Sequence, residues 1–395
     1  MLYRAEAFEP LTDELWDEGR VRSAIVAIVA DTDEVFDPAG LWPANEWDAW
    51  QSELPLKDLY CGAAGVIWAL DALRRRGHAE TRTDLAAAAM RALELYHESP
   101  DLAGMGEDLP EPAASSLYCG EVGILLVAWR LAPSAELADT LFERVRENVA
   151  NEAEELMWGS PGTLLAARLM HDWTGKERWL EASRESAEAL RARRDADGLW
   201  VQRLYGAEPR RIVGPAHGLV GIVHALLQGD ADEQLAQESA EVLAREAVVE
   251  EGFANWPAVA GGPLERNDQI RVQWCHGAAG IVSTAASYLD EELLLAGAEL
   301  VWRAGAHRVE KGPSLCHGTA GNGYALLTAF ERTRDERWLE RGRRFAVHAL
   351  AQADAAKAEA GRGRYSLMTG DLGVALFAAA CLDGDARFPL LDGWG

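Results

Sequence analysis

The sequence predicts an all-α fold in which seven inner and seven outer helices form a seven-fold (α/α) toroid, and three observations support it. A Gly-x-x-Gly pair recurs seven times in the 395 residues, a nearly all-apolar run follows each pair, and charge-rich segments separate the runs. A helix that is apolar on every side is typical of a buried position, whereas apolar residues at i, i+3 and i+4 among charges indicate a surface helix. A solenoid of helix pairs is the alternative, and the fully apolar inner helices favour a closed ring.

The glycine pairs define the repeat. A single Gly-x-x-Gly pair is not informative, but seven such pairs indicate a repeat architecture. Their first glycines are 58, 39, 59, 59, 41 and 52 residues apart. Because glycine lets backbones approach closely, we expect each pair where an inner helix begins, with all seven at one mouth of the ring. The pairs are Gly62/Gly65, Gly120/Gly123, Gly159/Gly162, Gly218/Gly221, Gly277/Gly280, Gly318/Gly321 and Gly370/Gly373.

The predicted inner helices follow these pairs in order, and amphipathic helices fill the intervals between them. The apolar runs are Val66–Leu73, Ile124–Leu131, Thr163–Met170, Ile222–Leu227, Ile281–Leu289, Tyr324–Phe330 and Val374–Leu382. The amphipathic segments include Asp84–Tyr96, Arg178–Arg194, Asp232–Val248, Glu291–Val309 and Arg337–Ala358. No convincing series of alternating apolar and polar residues competes with them, so we expect residues 1–395 to form a single toroid domain.

The composition narrows the function classes. The 38 basic and 64 acidic residues give a net charge of −26, which argues against binding to nucleic acid or to an anionic membrane. No apolar run approaches the roughly 18 residues of a membrane span, and the acidic N-terminus does not resemble a signal peptide. Five cysteines, an odd number, indicate reduced thiols rather than a disulfide framework. We therefore expect a cytoplasmic protein.

Two tetrapeptides carry the strongest chemical signal, Trp274–Gly277 and Leu315–Gly318. Each contains Cys-His-Gly, in a chain with only five Cys and nine His. Thiolate and imidazole are ligands that zinc prefers. The alternative is that both cysteines are small buried hydrophobic residues, as free cysteines usually are, but the duplicated motif favours zinc.

Aligning the repeats on their first glycine gives two columns of residues at the ring mouth. Two residues before the glycine stand Tyr60, Tyr118, Met157, Ala216, Cys275, Cys316 and Met368, and one before it stand Cys61, Cys119, Trp158, His217, His276, His317 and Thr369. We expect Cys275, Cys316 and His317 to bind one zinc ion and to leave its fourth position open to water or substrate. His276 is either a fourth ligand or, as we favour, a neighbour that contacts substrate. His217 has no adjacent cysteine and is the candidate acid/base.

These motifs resemble the LanC-like family, the lanthionine synthetase cyclase components and their relatives. The resemblance covers essentially the whole chain and is most specific at residues 216–218, 274–280 and 316–322. It implies a seven-fold (α/α) barrel with one zinc held by Cys275, Cys316 and His317. It also implies His217 as acid/base and Arg271 as a group that stabilises the intermediate.

Two departures from the lantibiotic cyclases make the chain more similar to stand-alone LanC-like proteins. His276 stands where those cyclases have Tyr, and Glu155 stands where they have Asp; we expect both beside the site. The resemblance implies that the zinc activates a thiol for Michael-type addition to dehydroalanine or dehydrobutyrine in a peptide, either as lanthionine cyclisation or with glutathione as the thiol.

Two other function classes stay open. One is a protein that binds zinc and glutathione or a peptide without turnover. The other is a carbohydrate-acting enzyme, because (α/α) toroids also support that chemistry and fold alone does not decide function. Such an enzyme needs paired carboxylates on its cavity, and the two columns before the glycines contain none.

Overall fold

The computed structural model describes residues 1–45, 48, 55–101, 114–204, 207–229 and 231–394. This part of the chain contains fourteen α-helices: α1 (Glu18–Glu34), α2 (Ala63–Arg75), α3 (Leu85–Glu98), α4 (Glu121–Leu131), α5 (Ala135–Glu147), α6 (Ser160–Thr174), α7 (Glu177–Ala192), α8 (Leu219–Leu227), α9 (Glu233–Glu246), α10 (Ala278–Thr284), α11 (Glu291–Ala304), α12 (Thr319–Thr333), α13 (Glu336–Ala360) and α14 (Asp371–Asp383). Each even-numbered helix begins directly after the first glycine of a pair and is buried along most of its length.

The even-numbered helices form a closed inner ring. They pack in the cyclic order α2, α4, α6, α8, α10, α12, α14, and α14 packs against α2. The odd-numbered helices lie outside, with α13 against both α12 and α14 and with α1 against α14. A solenoid has no contact between its first and last units, so the predicted toroid is confirmed.

A chain of backbone hydrogen bonds joins the turns at one mouth of the ring. Cys275 N–H donates to the Cys316 carbonyl (3.3 Å), Cys316 N–H to that of Met368 (2.9 Å), Met368 N–H to that of Tyr60 (3.1 Å), and Tyr60 N–H to that of Tyr118 (3.0 Å). All five residues stand two positions before a first glycine. The turns of five repeats therefore lie at the same mouth, and repeat 1 is a neighbour of repeat 7.

The second glycine of a pair is required by close packing between repeats. A Cβ on Gly280 would lie 1.7 Å from the Trp274 carbonyl oxygen and 2.7 Å from Pro215 Cγ of the preceding repeat. A Cβ on Gly123 would lie 2.3 Å from the Leu117 carbonyl oxygen and 2.5 Å from the Leu59 side chain. Such contacts are far inside van der Waals separation, so only glycine fits.

The outer helices begin differently, because their first turns lie near solvent. An aspartate or serine at the N-cap accepts a hydrogen bond from a backbone N–H of the first turn in α1, α3, α5, α9, α11 and α13. These caps satisfy donors that the helix itself leaves free. The start of α7, after Lys176, has no side-chain cap, so the caps mark six of the seven outer starts, whereas the glycines mark every inner one.

Three two-stranded antiparallel sheets were not predicted. They pair β1 (Phe8–Glu9) with β6 (Ala306–His307), β2 (Val248–Glu250) with β3 (Phe253–Asn255), and β4 (Glu265–Arg266) with β5 (Gln269–Ile270). Each sheet is too short to change the predicted all-α class.

Three predicted helix ends were wrong. The segment predicted to run to Val309 ends at Ala304, because Gly305 has φ +87° and the chain then enters β6. The segment predicted to run to Val248 ends at Glu246, before β2. The inner run predicted to reach Leu289 ends at Thr284, after which Leu289 N–H bonds to the Ala285 carbonyl in a tight turn. None of the described helices is both long and apolar enough to cross a bilayer.

Candidate metal centre and its cavity

Cys275, Cys316 and His317 come together at the ring mouth. One candidate ligand atom from each residue lies within 4.8 Å of the other two, and Cys316 Sγ is 3.6 Å from His317 Nε2. Both cysteines are buried, 3% and 2% exposed. In the described part of the chain, no other His, Cys, Asp or Glu joins this group.

The turn that carries Cys275 is fixed from two sides. Asn255 donates to the Arg271 carbonyl (3.2 Å) and accepts from Ala278 N–H at the start of α10 (2.8 Å). Asn322 on α12 donates to the Val272 carbonyl (2.9 Å), which ties the turn of repeat 5 to the helix of repeat 6. Both amides are fully buried. The turn of Cys275 is therefore held by buried hydrogen bonds to two neighbouring segments.

The donor set fits zinc. Two sulfurs and an imidazole are a common zinc ligand set, and tetrahedral coordination at about 2.3 Å places ligand atoms about 3.8 Å apart. The three candidate ligand atoms all lie within 4.8 Å of one another, which is close to that spacing. Because only three protein ligands are present among the described residues, one coordination position stays open, which is typical of catalytic zinc sites.

The two sulfurs share their protonation. Burial favours the neutral thiol of Cys275, but a hydrogen bond from Cys316 and the charges of His317 and His276 lower the pKa of Cys275 well below its usual range. Burial and the adjacent Cys275 raise the pKa of Cys316. The two cysteines therefore favour a state in which one of them is a thiolate. A bound divalent cation would favour the thiolate form of both.

His276 is a neighbour of this group rather than a member. Its ring lies 5.9 Å from that of His217, centroid to centroid. Burial lowers the pKa of His276 to about 4, so the ring is neutral at neutral pH. Its Nδ1 has no hydrogen-bond partner among the described residues. The structure therefore places His276 beside His217.

His217 is oriented by Glu155. The His217 Nδ1 lies 2.6 Å from Glu155 Oε2, and the His217 side chain is 28% exposed while that of Glu155 is fully buried. Burial lowers the pKa of His217, but the hydrogen bond and the charge of Glu155 outweigh it and raise the pKa above its usual value. His217 thus lines the cavity with its Nδ1 held by a buried carboxylate, which favours the protonated ring.

Glu155 is itself fixed by the start of α6. Its carboxylate accepts the backbone N–H groups of Met157 (3.2 Å), Gly159 (3.2 Å) and Trp158. These donors compensate for the burial of its charge. One carboxylate therefore caps an inner helix and also orients the candidate acid.

Arg271 is half-buried on the segment that precedes Cys275. Its positive charge opposes protonation of both His217 and His276, which places its guanidinium within electrostatic reach of both rings. The structure thus brings all seven predicted site residues to one region: Glu155, His217, Arg271, Cys275, His276, Cys316 and His317.

A cavity of about 390 Å³ opens beside the cluster. Cys316, His317 and His217 line it, and Lys311 and Arg364 supply positive charge at its wall. Arg364 donates two hydrogen bonds to the buried Asp48, at 2.6 and 3.2 Å. The cavity gives access to the candidate metal centre and to His217 together.

Sequence reasoning missed two residues that lie beside the sulfurs. Gln273 Nε2 lies 2.8 Å from Cys275 Sγ, and Tyr60 lines the cavity beside Cys316, within electrostatic reach of its sulfur. Gln273 stands four positions before its repeat glycine, as Glu155 does. The column at that position would have pointed to Gln273. Tyr60 was in an aligned column, but its proximity to Cys316 depends on ring closure.

The fold and the site together define a class: a seven-fold (α/α) toroid with a candidate metal centre at its mouth. The chain belongs to the lanthionine synthetase C-like family, because the model of that family matches residues 56–392. The resemblance that the motifs gave is confirmed.

Individual relatives agree with this assignment. The chain is 30% identical over 161 residues to the LanC-like protein GCL1 of Arabidopsis thaliana. This match covers 38% of this chain and 35% of that protein. The chain is also 30% identical over 157 residues to glutathione S-transferase LANCL1 of Danio rerio, covering 37% and 36%. The matches thus span about a third of each curated relative. Nisin cyclase shares the fold, with a TM-score of 0.60, 16% identity and coverage of 91% of this chain and 94% of that one.

Proposed function

We propose that this protein is a zinc-dependent enzyme that adds a thiol to dehydroalanine or dehydrobutyrine residues in a peptide and so forms a thioether. The observation that carries the proposal is the Cys275, Cys316 and His317 group, which shares one cavity with His217. Two comparisons support the class of chemistry. One curated relative is named a glutathione S-transferase, and one solved structure with this fold is a cyclase.

Cys275, Cys316 and His317 would hold the metal. Bound zinc supplies a Lewis acid that lowers the pKa of a substrate thiol at neutral pH. The protein residues keep the site rigid, because both cysteines are buried in turns hydrogen-bonded to the next repeat. The open side of the group faces the cavity, where Cys316 and His317 are lining residues.

His217 and Arg271 would act on the acceptor peptide. The sulfur forms a bond to the β-carbon, and the electron pair of the carbon–carbon double bond moves onto the adjoining carbonyl as an enolate. Arg271 or protonated His217 stabilises that charge, and His217 delivers a proton to the α-carbon. The thiol proton restores His217, so the net change is addition of R–SH across the double bond.

We favour glutathione as the thiol over a cysteine of the same peptide. The cavity wall carries two basic and two acidic residues, Lys311, Arg364, Asp48 and Glu310. Arg364 already pairs with Asp48, so Lys311 is the group that we propose to contact a carboxylate of a small thiol peptide. His276 in place of the Tyr of lantibiotic cyclases supports the same choice. The acceptor is then a peptide or protein that contains dehydroamino acids.

Mass spectrometry of a dehydroalanine peptide incubated with glutathione tests the activity. We expect the wild-type protein to form the adduct and His217→Ala to lower kcat by about 10²–10⁴-fold, because a positioned acid contributes that much. An intramolecular thioether in a peptide that carries its own Cys would indicate cyclisation instead. If wild type and His217→Ala both match the rate without enzyme while glutathione still binds, the protein is a binding protein.

A further inference from the structure

We propose that Gln273 and Tyr60 are positioning residues of the metal centre, each donating one hydrogen bond to one of its two sulfurs. Gln273 serves Cys275 and Tyr60 serves Cys316. The inference rests on the proposed zinc site and adds to it the groups that fix the charge and orientation of its thiolates.

Gln273 is placed to donate a hydrogen bond to one of the two sulfurs. Its side chain is buried, 4% exposed, and its Nε2 lies 2.8 Å from Cys275 Sγ. Its backbone is fixed by reciprocal hydrogen bonds with His276, at 3.0 and 3.2 Å. An amide oxygen only accepts hydrogen bonds, so against a thiolate the NH₂ group is the attractive end.

Tyr60 approaches the other sulfur from a distant part of the sequence. It lines the same cavity as Cys316, which stands 256 positions later in the numbering, and lies within electrostatic reach of that sulfur. The approach is built by ring closure, because Met368 N–H bonds to the Tyr60 carbonyl while Cys316 N–H bonds to that of Met368. A phenol hydroxyl beside a thiolate donates its proton.

The two donors have a common effect. Each hydrogen bond draws negative charge away from its sulfur, so that the sulfur donates less of that charge to the metal. Each hydrogen bond also restricts the rotation of its cysteine side chain. Groups that hydrogen-bond to metal ligands typically change metal affinity or activity by about 10–100-fold when removed. The centre therefore has one donor per thiolate, supplied by repeats 5 and 1.

Gln273→Met and Tyr60→Phe remove each donor with little change of volume. Two variants are matched controls. Tyr118→Phe removes a hydroxyl from the same column of the next repeat, where it has no hydrogen-bond partner among the described residues. Gln202→Met removes a buried amide that bonds to the Glu154 carbonyl and Ile212 N–H, and no sulfur.

Two measurements on the full-length protein test the proposal without reference to turnover: zinc affinity by competition with a chromophoric chelator, and the thiolate-to-metal charge-transfer band of the cobalt(II)-substituted protein. We expect Gln273→Met and Tyr60→Phe each to weaken zinc binding by about 10–100-fold and to move the charge-transfer band to lower energy. Tyr118→Phe and Gln202→Met should leave the band in place, even where Gln202→Met lowers thermal stability.

The outcomes separate this inference from the proposed function. Wild-type protein that binds neither zinc nor cobalt overturns the metal site itself. Wild type that binds both, with Gln273→Met and Tyr60→Phe matching it in affinity and band position, overturns the inference alone. If either variant fails to fold, the other still decides, because each sulfur has its own donor.

Discussion

The protonation of His217 depends on one buried carboxylate. Glu155→Gln keeps the shape and removes the charge, so burial and the charge of Arg271 then lower the pKa of His217, while Cys275 still raises it. Because protonated His217 is the acid in the proposed mechanism, we expect activity below the pKa of His217 and its loss above that pKa. We therefore expect the loss of kcat/KM on the alkaline side to begin at lower pH in Glu155→Gln, as measured in a pH–rate profile with glutathione and a dehydroalanine peptide.

The adjacent Glu154 offers a matched control. It is also buried, but its carboxylate pairs with Arg193 at 2.6 Å rather than with a histidine. Glu154→Gln should lower stability and leave the pH profile in place. A profile for Glu155→Gln identical to that of wild type would show that the carboxylate does not set the protonation of the acid.

The sequence identified the members of the candidate metal centre because they stand in two copies of one motif. Cys275, Cys316 and His317 were found by column alignment, since each stands at a fixed distance before a glycine. The role of Glu155 as the partner of His217 was not predicted, because the contact joins residues 62 positions apart on two repeats. Tyr60 was hidden for the same reason.

The glycine turns are the elements on which the site is built. Gly280→Ala would place a Cβ against the Trp274 carbonyl and Pro215, at 1.7 and 2.7 Å. Overpacking costs about 1–3 kcal/mol where side chains can shift, and we expect at least the upper end here because the clash is with backbone. Chemical denaturation of wild type and variant measures the loss.

Gly19→Ala is the control for this prediction. Its Cβ would meet only Asp17 Oδ1 at 3.4 Å, in the first turn of α1. Replacing glycine in a helix with alanine stabilises by up to about 1 kcal/mol. If Gly280→Ala were as stable as Gly19→Ala, close approach between repeats would not explain why the Gly-x-x-Gly spacing recurs in this chain.

Helix type was easier to predict than helix ends. Fully apolar and amphipathic runs differ over many residues, so α2 to α14 were assigned to the inner or outer ring correctly wherever a run was named. The ends of α9, α10 and α11 depend on a few local contacts, such as the left-handed Gly305 and the turn at Ala285. Those contacts follow from tertiary packing, which periodicity does not encode.

At the scale of the whole molecule, ring closure assembles the site. Residues of repeat 1 and repeat 6 meet because α14 packs on α2 and the turns between them are hydrogen-bonded. The repeat pattern predicted this closure, and the backbone bonds at the mouth explain why a cavity there is lined by residues from both ends of the chain. The chain has a net charge of −26. At this mouth, however, Lys311 and Arg364 are local positive groups on the cavity wall.

Zinc content per chain, measured by elemental analysis of purified protein, tests the central claim most directly. We expect about one zinc in wild type and in Cys381→Ala, which removes a buried thiol outside the cluster. Cys275→Ala and Cys316→Ala should each lose the metal. Zinc retained in both of these variants, or absent from metal-supplemented wild type, would contradict the account.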